Sequence, residues 1–231
     1  MKLLKRKLLL LSICIIFSSC FFVLDGGSGW NERTRDNLVK GYDTKNMFLH
    51  EIQLEINKVR SNPSLYATEV LEPRLRRYNG YLYRNDEGEL LITKEGVNAM
   101  RECIRALEKA EDLDVLEMEK GLYLAAQSLA NDQAISGKKG HIASDGSSIE
   151  ERMNRYGTHI GLVDEICIYG YKNPRDIVIS LLVDDGIKSR KHQKAILNDN
   201  FRKIGIGFSS EYRAPEGAVT VINLTENYFS Y

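Results

Sequence analysis

The chain has 231 residues, 43% of them hydrophobic, and its 32 basic and 32 acidic side chains cancel to a formal charge of zero. That length and apolar share suit one single-core domain with short extensions. No basic block survives past the N-terminus, so the electrostatic footprint of a nucleic-acid binder is missing and nucleic acid is excluded as a partner.

The first segment reads as an address rather than as folded structure. "MKLLKRK" supplies four positive charges, "LLLLSICIIF" an apolar run of signal length, and "SSC" follows, which together describe an export signal over residues 1–19. "FSSC" is similar to a bacterial lipobox, in which Cys20 is lipid-modified and becomes the new N-terminus, tying the protein to a membrane. An uncleaved anchor is the alternative, because the apolar stretch continues through "FFVL" to Leu24. Both place the domain outside the cytoplasmic membrane, in the cell envelope or at the cell surface. Removal of Lys2, Lys5, Arg6 and Lys7 leaves 28 of the 32 basic residues against 32 acidic ones, a mature charge of −4 that favours solubility. Cys103 and Cys167 are then the cysteines of the folded part; export permits a disulfide between them, and two buried thiols are the expectation.

Residues 20–42 read as a flexible tether, polar and glycine-rich in "DGGSGWNERTRDN", and residues 43–231 as the domain. Phe48, Ile52, Ile56 and Val59 recur at helical spacing, and "SNP" stops that helix near residue 60. Pro63 opens a short second helix through "SLYATEV". Residues 72–92 mix aromatics with an Asp-Glu-Gly turn and read as loop plus hairpin, inside an enlarged segment of about residues 72–110. Thr93 is the predicted cap of a helix carrying Met100, Ile104 and Leu107 on one face. The strongest helix covers "EKGLYLAAQSLANDQAIS", with Gly137 as its stop.

Ser147 and Glu150 fit a capping box that opens a short helix, which leaves the loop around His141 between two helices. "HIGLVDEICIYG" is rich in strand formers; Asn173-Pro174 begins the apolar helix "RDIVISLLVDD", terminated by Gly186; "SRKHQKAIL" is a further short helix carrying His192. "KIGIGFSS" and "AVTVINLTEN" then form an antiparallel hairpin.

Four histidines occur, at 50, 141, 159 and 192. His50 reads as a helix-face residue and His159 as a turn residue. His141 and His192 lie in segments rich in turn residues, where sites tend to be built on a rigid scaffold. The chain has no His-x-x-x-His or Cys-x-x-Cys pair, so any site is assembled from distant pieces: His141, His192, and the acidic Glu165, Asp184 and Asp185. Two imidazoles with two carboxylates can bind a divalent metal, do acid–base work, or hold one another by hydrogen bonds.

The stretch from "LYLAAQSLANDQAISGKKGHIASDGS" through "DEICIYG" to "KHQKAILNDNFRKIGIGF" resembles the CAP superfamily (cysteine-rich secretory proteins, antigen 5 and pathogenesis-related 1; the SCP domain) in its bacterial secreted form, over about residue 46 to the C-terminus. The resemblance implies an α+β fold, a three-layer α-β-α sandwich around a central antiparallel sheet, with an open groove above it. His141 matches the family's first cleft histidine, Glu165 the glutamate of its Gly-Glu-Asn motif and His192 its second histidine; Asp185 is the nearest match to a further glutamate. Asp164, Ile166 and Gln193 stand where glycine, asparagine and arginine are usual. The resemblance allows a divalent metal such as zinc on His141 and His192.

Two functions follow. One is an envelope-anchored module whose groove, lined by His141, Glu165, Asp185 and His192, binds a small molecule, lipid or protein without turnover. The other is a hydrolase in that groove, metal-dependent or histidine-based, in which His141 or His192 is the general base, Glu165 orients it, and a metal or Ser144 or Ser147 provides the nucleophile. No nucleophile-elbow signature supports the second, and "GSS" at 146–148 is explained by helix capping.

Overall fold

Two long C-terminal strands organise the molecule, because their alternation fixes two opposite faces. The structure is a computed structural model that describes residue 30 and residues 32–231; the export signal and Cys20 lie outside the described residues. No helix among the described residues is long and apolar enough to cross a membrane.

The chain forms helices α1 (Glu32–Leu38), α2 (Met47–Ser61) and α3 (Pro63–Tyr66), then a π-turn (Ala67–Leu71) and a 3-10 segment (Glu72–Arg77). A small sheet of β1 (Tyr78–Asn79), β2 (Leu82–Arg84) and β3 (Leu90–Ile92) precedes α4 (Val97–Leu107). Then come β4 (Glu117–Met118), α5 (Lys120–Ser136), α6 (Ile149–Asn154), β5 (Gly157–Tyr169), α7 (Pro174–Val183), α8 (Lys191–Ile196), β6 (Lys203–Ser209) and β7 (Val219–Ser230).

The main sheet has the order β4-β6-β7-β5. Its long pairings are antiparallel, as expected, while the two-residue edge strand β4 runs parallel to β6. Ile166, Ile204, Ile206, Ile222 and Leu224 point to one face, where they pack with buried residues of α2, α4, α7 and α8. Residues one step along each strand point to the other face, against α5 and α6: Val219 and Val221 meet Ala126, Leu129 and Ala130. A Cβ on Gly205 would lie 2.1 Å from the Leu122 backbone, and one on Gly207 2.4 Å from that of Gln127. The Gly-Ile-Gly run is therefore what lets α5 lie directly on the sheet. These are the three layers, helix, sheet and helix, that the resemblance implies.

Several local expectations shift. The segment 20–42 is not tether throughout: α1 occupies part of it, Leu38 is buried, and the Leu38 and Lys40 carbonyls accept from Asn57 and Gln53 of α2. Residues 72–77 are helical rather than loop. The helix expected from Thr93 starts after Gly96, and Thr93 donates instead to the Tyr81 carbonyl at 2.7 Å. The capping box is Ser148 with Glu151, one residue later than read, because Ser147 is held by Asp145. Helix α7 ends on Asp184 in left-handed geometry (φ 51°) rather than at Gly186. Of the enlarged segment, Met100, Cys103, Ile104 and Leu107 of α4 belong to the main core, and Tyr78 of the small sheet packs against it.

Candidate functional site

Strand β5 is an edge strand whose odd-numbered residues face α5 and α6, and this sets what Glu165 meets. The row Glu165, Asn223, Gly205 runs across the sheet on that side. Above it, Gly137 turns the chain out of α5 (φ 75°) into a loop fastened through both backbone groups of Gly140. Gln133 Nε2 donates to the Gly140 carbonyl at 2.5 Å, and the Gly140 amide donates to the Tyr169 hydroxyl at 2.9 Å. The next residue is His141.

His141 Nδ1–H donates to Glu165 Oε1 at 3.1 Å. The ring is half exposed, at 50%, while the Glu165 side chain is 3% exposed. A buried carboxylate needs compensation, and Arg152 of α6 provides it: Nη2 lies 2.6 Å from Glu165 Oε2, and Nη1 donates to the carbonyls of Ser147 (2.6 Å) and His141 (3.1 Å). Asn223, with its amide nitrogen turned to the carboxylate, donates to Oε2 at 3.0 Å. Glu165 thus fixes the tautomer and orientation of His141 and leaves Nε2 as the ring's second nitrogen.

Cys167 lies two residues on along the same face. Its Sγ is 3.7 Å from His141 Nδ1 and 3.5 Å from the Gly140 carbonyl oxygen. Burial pushes its thiol up to about 12, so at neutral pH it is a protonated thiol rather than a nucleophile. Among the described residues, His141, Glu165 and Cys167 form a group whose ligand atoms all lie within 4.8 Å of one another. Nitrogen, oxygen and sulfur donors at that spacing fit a zinc-type ion, with the exposed side of His141 left open. Arg152 neutralises part of the charge such an ion would use.

The other expected groove members are elsewhere. His192 opens α8, which packs on the opposite face of the sheet; its Nδ1–H donates to Asp184 Oδ1 at 2.7 Å and its backbone amide to Oδ2 at 3.0 Å. Asp185 accepts from the backbone amides of Lys94 and Glu95 at 2.6 and 2.8 Å, at the approach to α4. Of the residues expected in one groove, His141 and Glu165 are in contact, whereas His192 is bonded to Asp184 and Asp185 to the approach to α4, which makes two histidine–carboxylate stations. His192 is also not in the ligand group with His141. The physical reason is layer assignment: β5 alternation sends Glu165 to the α5 face, while α7 and α8 cover the other.

The serines named as nucleophiles are both engaged. Ser144 Oγ donates to Asp132 at 3.2 Å and Ser147 Oγ to Asp145 at 2.6 Å. Cys103 and Cys167 are free thiols, the first buried and the second partly so, on opposite faces of the sheet. Arg152, Cys167 and Asn223 went unread as members of the site. Cys167 had a signal, because residues i and i+2 of a strand share a face.

A model of the CAP, or cysteine-rich secretory protein, family matches residues 94–224. No match was found among curated proteins. Among solved structures, an outer surface protein of Borrelia burgdorferi is similar at a TM-score of 0.42 and 21% identity, over 50% of this chain and 80% of that one. An extracellular protein containing an SCP domain from Bacillus anthracis is similar at 0.40 and 15% identity, over 57% of this chain and 38% of that one.

Proposed function

Since the chain belongs to the CAP family, whose match covers residues 94–224, we propose that it is an exported, envelope-anchored CAP domain that binds a ligand or partner through the His141 station without turnover. The observation that carries this reading is the arrangement of hydrogen bonds around His141. The ring is open to solvent yet rooted on a buried Glu165–Arg152 pair, which is the build of a fixed contact point. Among the described residues none beside it is poised to attack a substrate: both serine hydroxyls are turned to aspartates, and burial holds the neighbouring thiol well above the usual range. Hydrolysis of p-nitrophenyl acetate tests this. The wild type and His141→Ala should show the same background rate, and a rate that falls with His141→Ala would replace the binding reading with the hydrolase.

A second reading is a zinc-type site on the same residues, favoured by the three converging donors. Bound there, the ion would supply Lewis acidity or a structural clamp, held by His141, Glu165 and Cys167 and bound with proton release from the thiol. Calorimetric titration with zinc should then show binding that His141→Ala and Cys167→Ser abolish and His192→Ala preserves. The anchor rests on "FSSC": radiolabelled palmitate should enter the full chain and not Cys20→Ser.

A further inference from the structure

The small sheet β1–β3, which precedes the family match, roofs a cleft over α4 and α7. Its inner part is a cavity of about 80 Å³ with apolar walls that include Tyr78, Tyr83, Leu91, Met100, Ile179 and Val183. It continues into a wider mouth of about 250 Å³ that carries Glu87, Glu89 and Glu216 against Lys172. Asp176, with Tyr171, borders both spaces.

Three observations define what would fit. Asp176 is 3% exposed, forms no ion pair among the described residues, and accepts only from the Asp86 amide at 3.2 and 3.4 Å. Burial pushes its carboxyl up to about 6. The arginines nearby, Arg74 and Arg77, are already paired with Asp86. Second, the Tyr83 hydroxyl, in a residue 6% exposed, is buried with no hydrogen-bond partner among the described residues; such orphans are rare and costly. Third, the tyrosine rings are surfaces that attract cations as well as apolar groups. An anion would meet an acidic mouth, and a metal ion would meet apolar walls with a single carboxylate.

We propose that this cleft binds a small organic ammonium compound, its apolar body in the cavity and its charged nitrogen at Asp176, with the Tyr83 hydroxyl as a polar contact. The site is separate from the His141 station and does not depend on the reading given to it.

The test is a titration of the full chain followed by NMR, with n-butylammonium, 1-butanol and butyrate as probes of one length. Butylammonium should bind about ten-fold more tightly than butanol, and butyrate should not bind. Asp176→Asn should bring the ammonium down to the level of the alcohol, Tyr83→Phe should weaken both, and His141→Ala should change neither. Equal affinity of the ammonium and the alcohol in wild type overturns the proposal, as does a preference that survives Asp176→Asn. It is also overturned if no probe gives a saturable shift up to roughly 50 mM, above the millimolar range expected of so small a ligand. Should Asp176→Asn fail to fold, the ammonium-to-alcohol ratio of the wild type decides alone.

Discussion

Two histidine stations sit on opposite sides of the sheet, each built from an imidazole, a carboxylate and a guanidinium and put to different uses. At His141 the carboxylate is buried in the sheet and compensated by Arg152, and the imidazole is an attachment at the rim, half open to water. At His192 the ring is 15% exposed and the carboxylate, Asp184, takes both the ring and the backbone amide of the histidine. Arg190 at that station donates to the Asp184 carbonyl and pairs with Glu95 and Glu102, which ties α7, α8 and the approach to α4 together. Both acids are buried, so a histidine beside an acid is a contact point or a rivet according to how far the ring itself is open to water, and the pair of residue types alone does not distinguish them.

That contrast is open to measurement. The largest effect is expected from Arg152→Met, which strands the Glu165 carboxylate in the core. Urea unfolding should show a loss of about 3–5 kcal/mol, and a loss below about 1 kcal/mol would mean that the arginine is not the compensating charge. Asp184→Ala removes two bonds to His192 and puts alanine in left-handed backbone, for a loss of about 1.5–3 kcal/mol; Asp184→Asn should lose less, because asparagine tolerates that geometry and still accepts from the amide. His192→Ala should cost about 1 kcal/mol and His141→Ala clearly less. Equal losses for the two histidines, read from the same unfolding curves, would erase the distinction between rivet and contact point. The smallest effect is kinetic: with its thiol pushed up to about 12, Cys167 should alkylate with iodoacetamide at pH 8 more slowly than a free thiol. Mass spectrometry after timed quenching reads this directly, and Arg152→Met should slow it further, since the arginine favours the thiolate.

Much of the fold was legible because it depends on local chemistry. Apolar spacing gave α2, α5 and α7; Gly137 marked the end of α5, and Asn173-Pro174 the start of α7. Half of the site was legible through the motif containing Glu165 and the loop containing His141. The rest depends on packing. Ser147 and Ser148 both satisfy the capping spacing, and only the tertiary contact of Ser147 with Asp145 decides between them. Asp184 and Asp185 are neighbours in sequence, yet the left-handed turn at Asp184 sends one to His192 and the other to the α4 approach. Arg152 carries no sequence mark, since an arginine in "EERMN" reads as a solvated helix position until α6 is laid over β5.

The bare backbone at Gly205 and Gly207 has one more consequence. With nothing but hydrogen between them and α5, helix and sheet behave as a single plate, and the loop at the end of that helix hangs over the edge strand at a set height. His141 is therefore positioned from a seam two strands away: a methyl group added at residue 205 would lift the helix and carry the imidazole off its carboxylate without touching either.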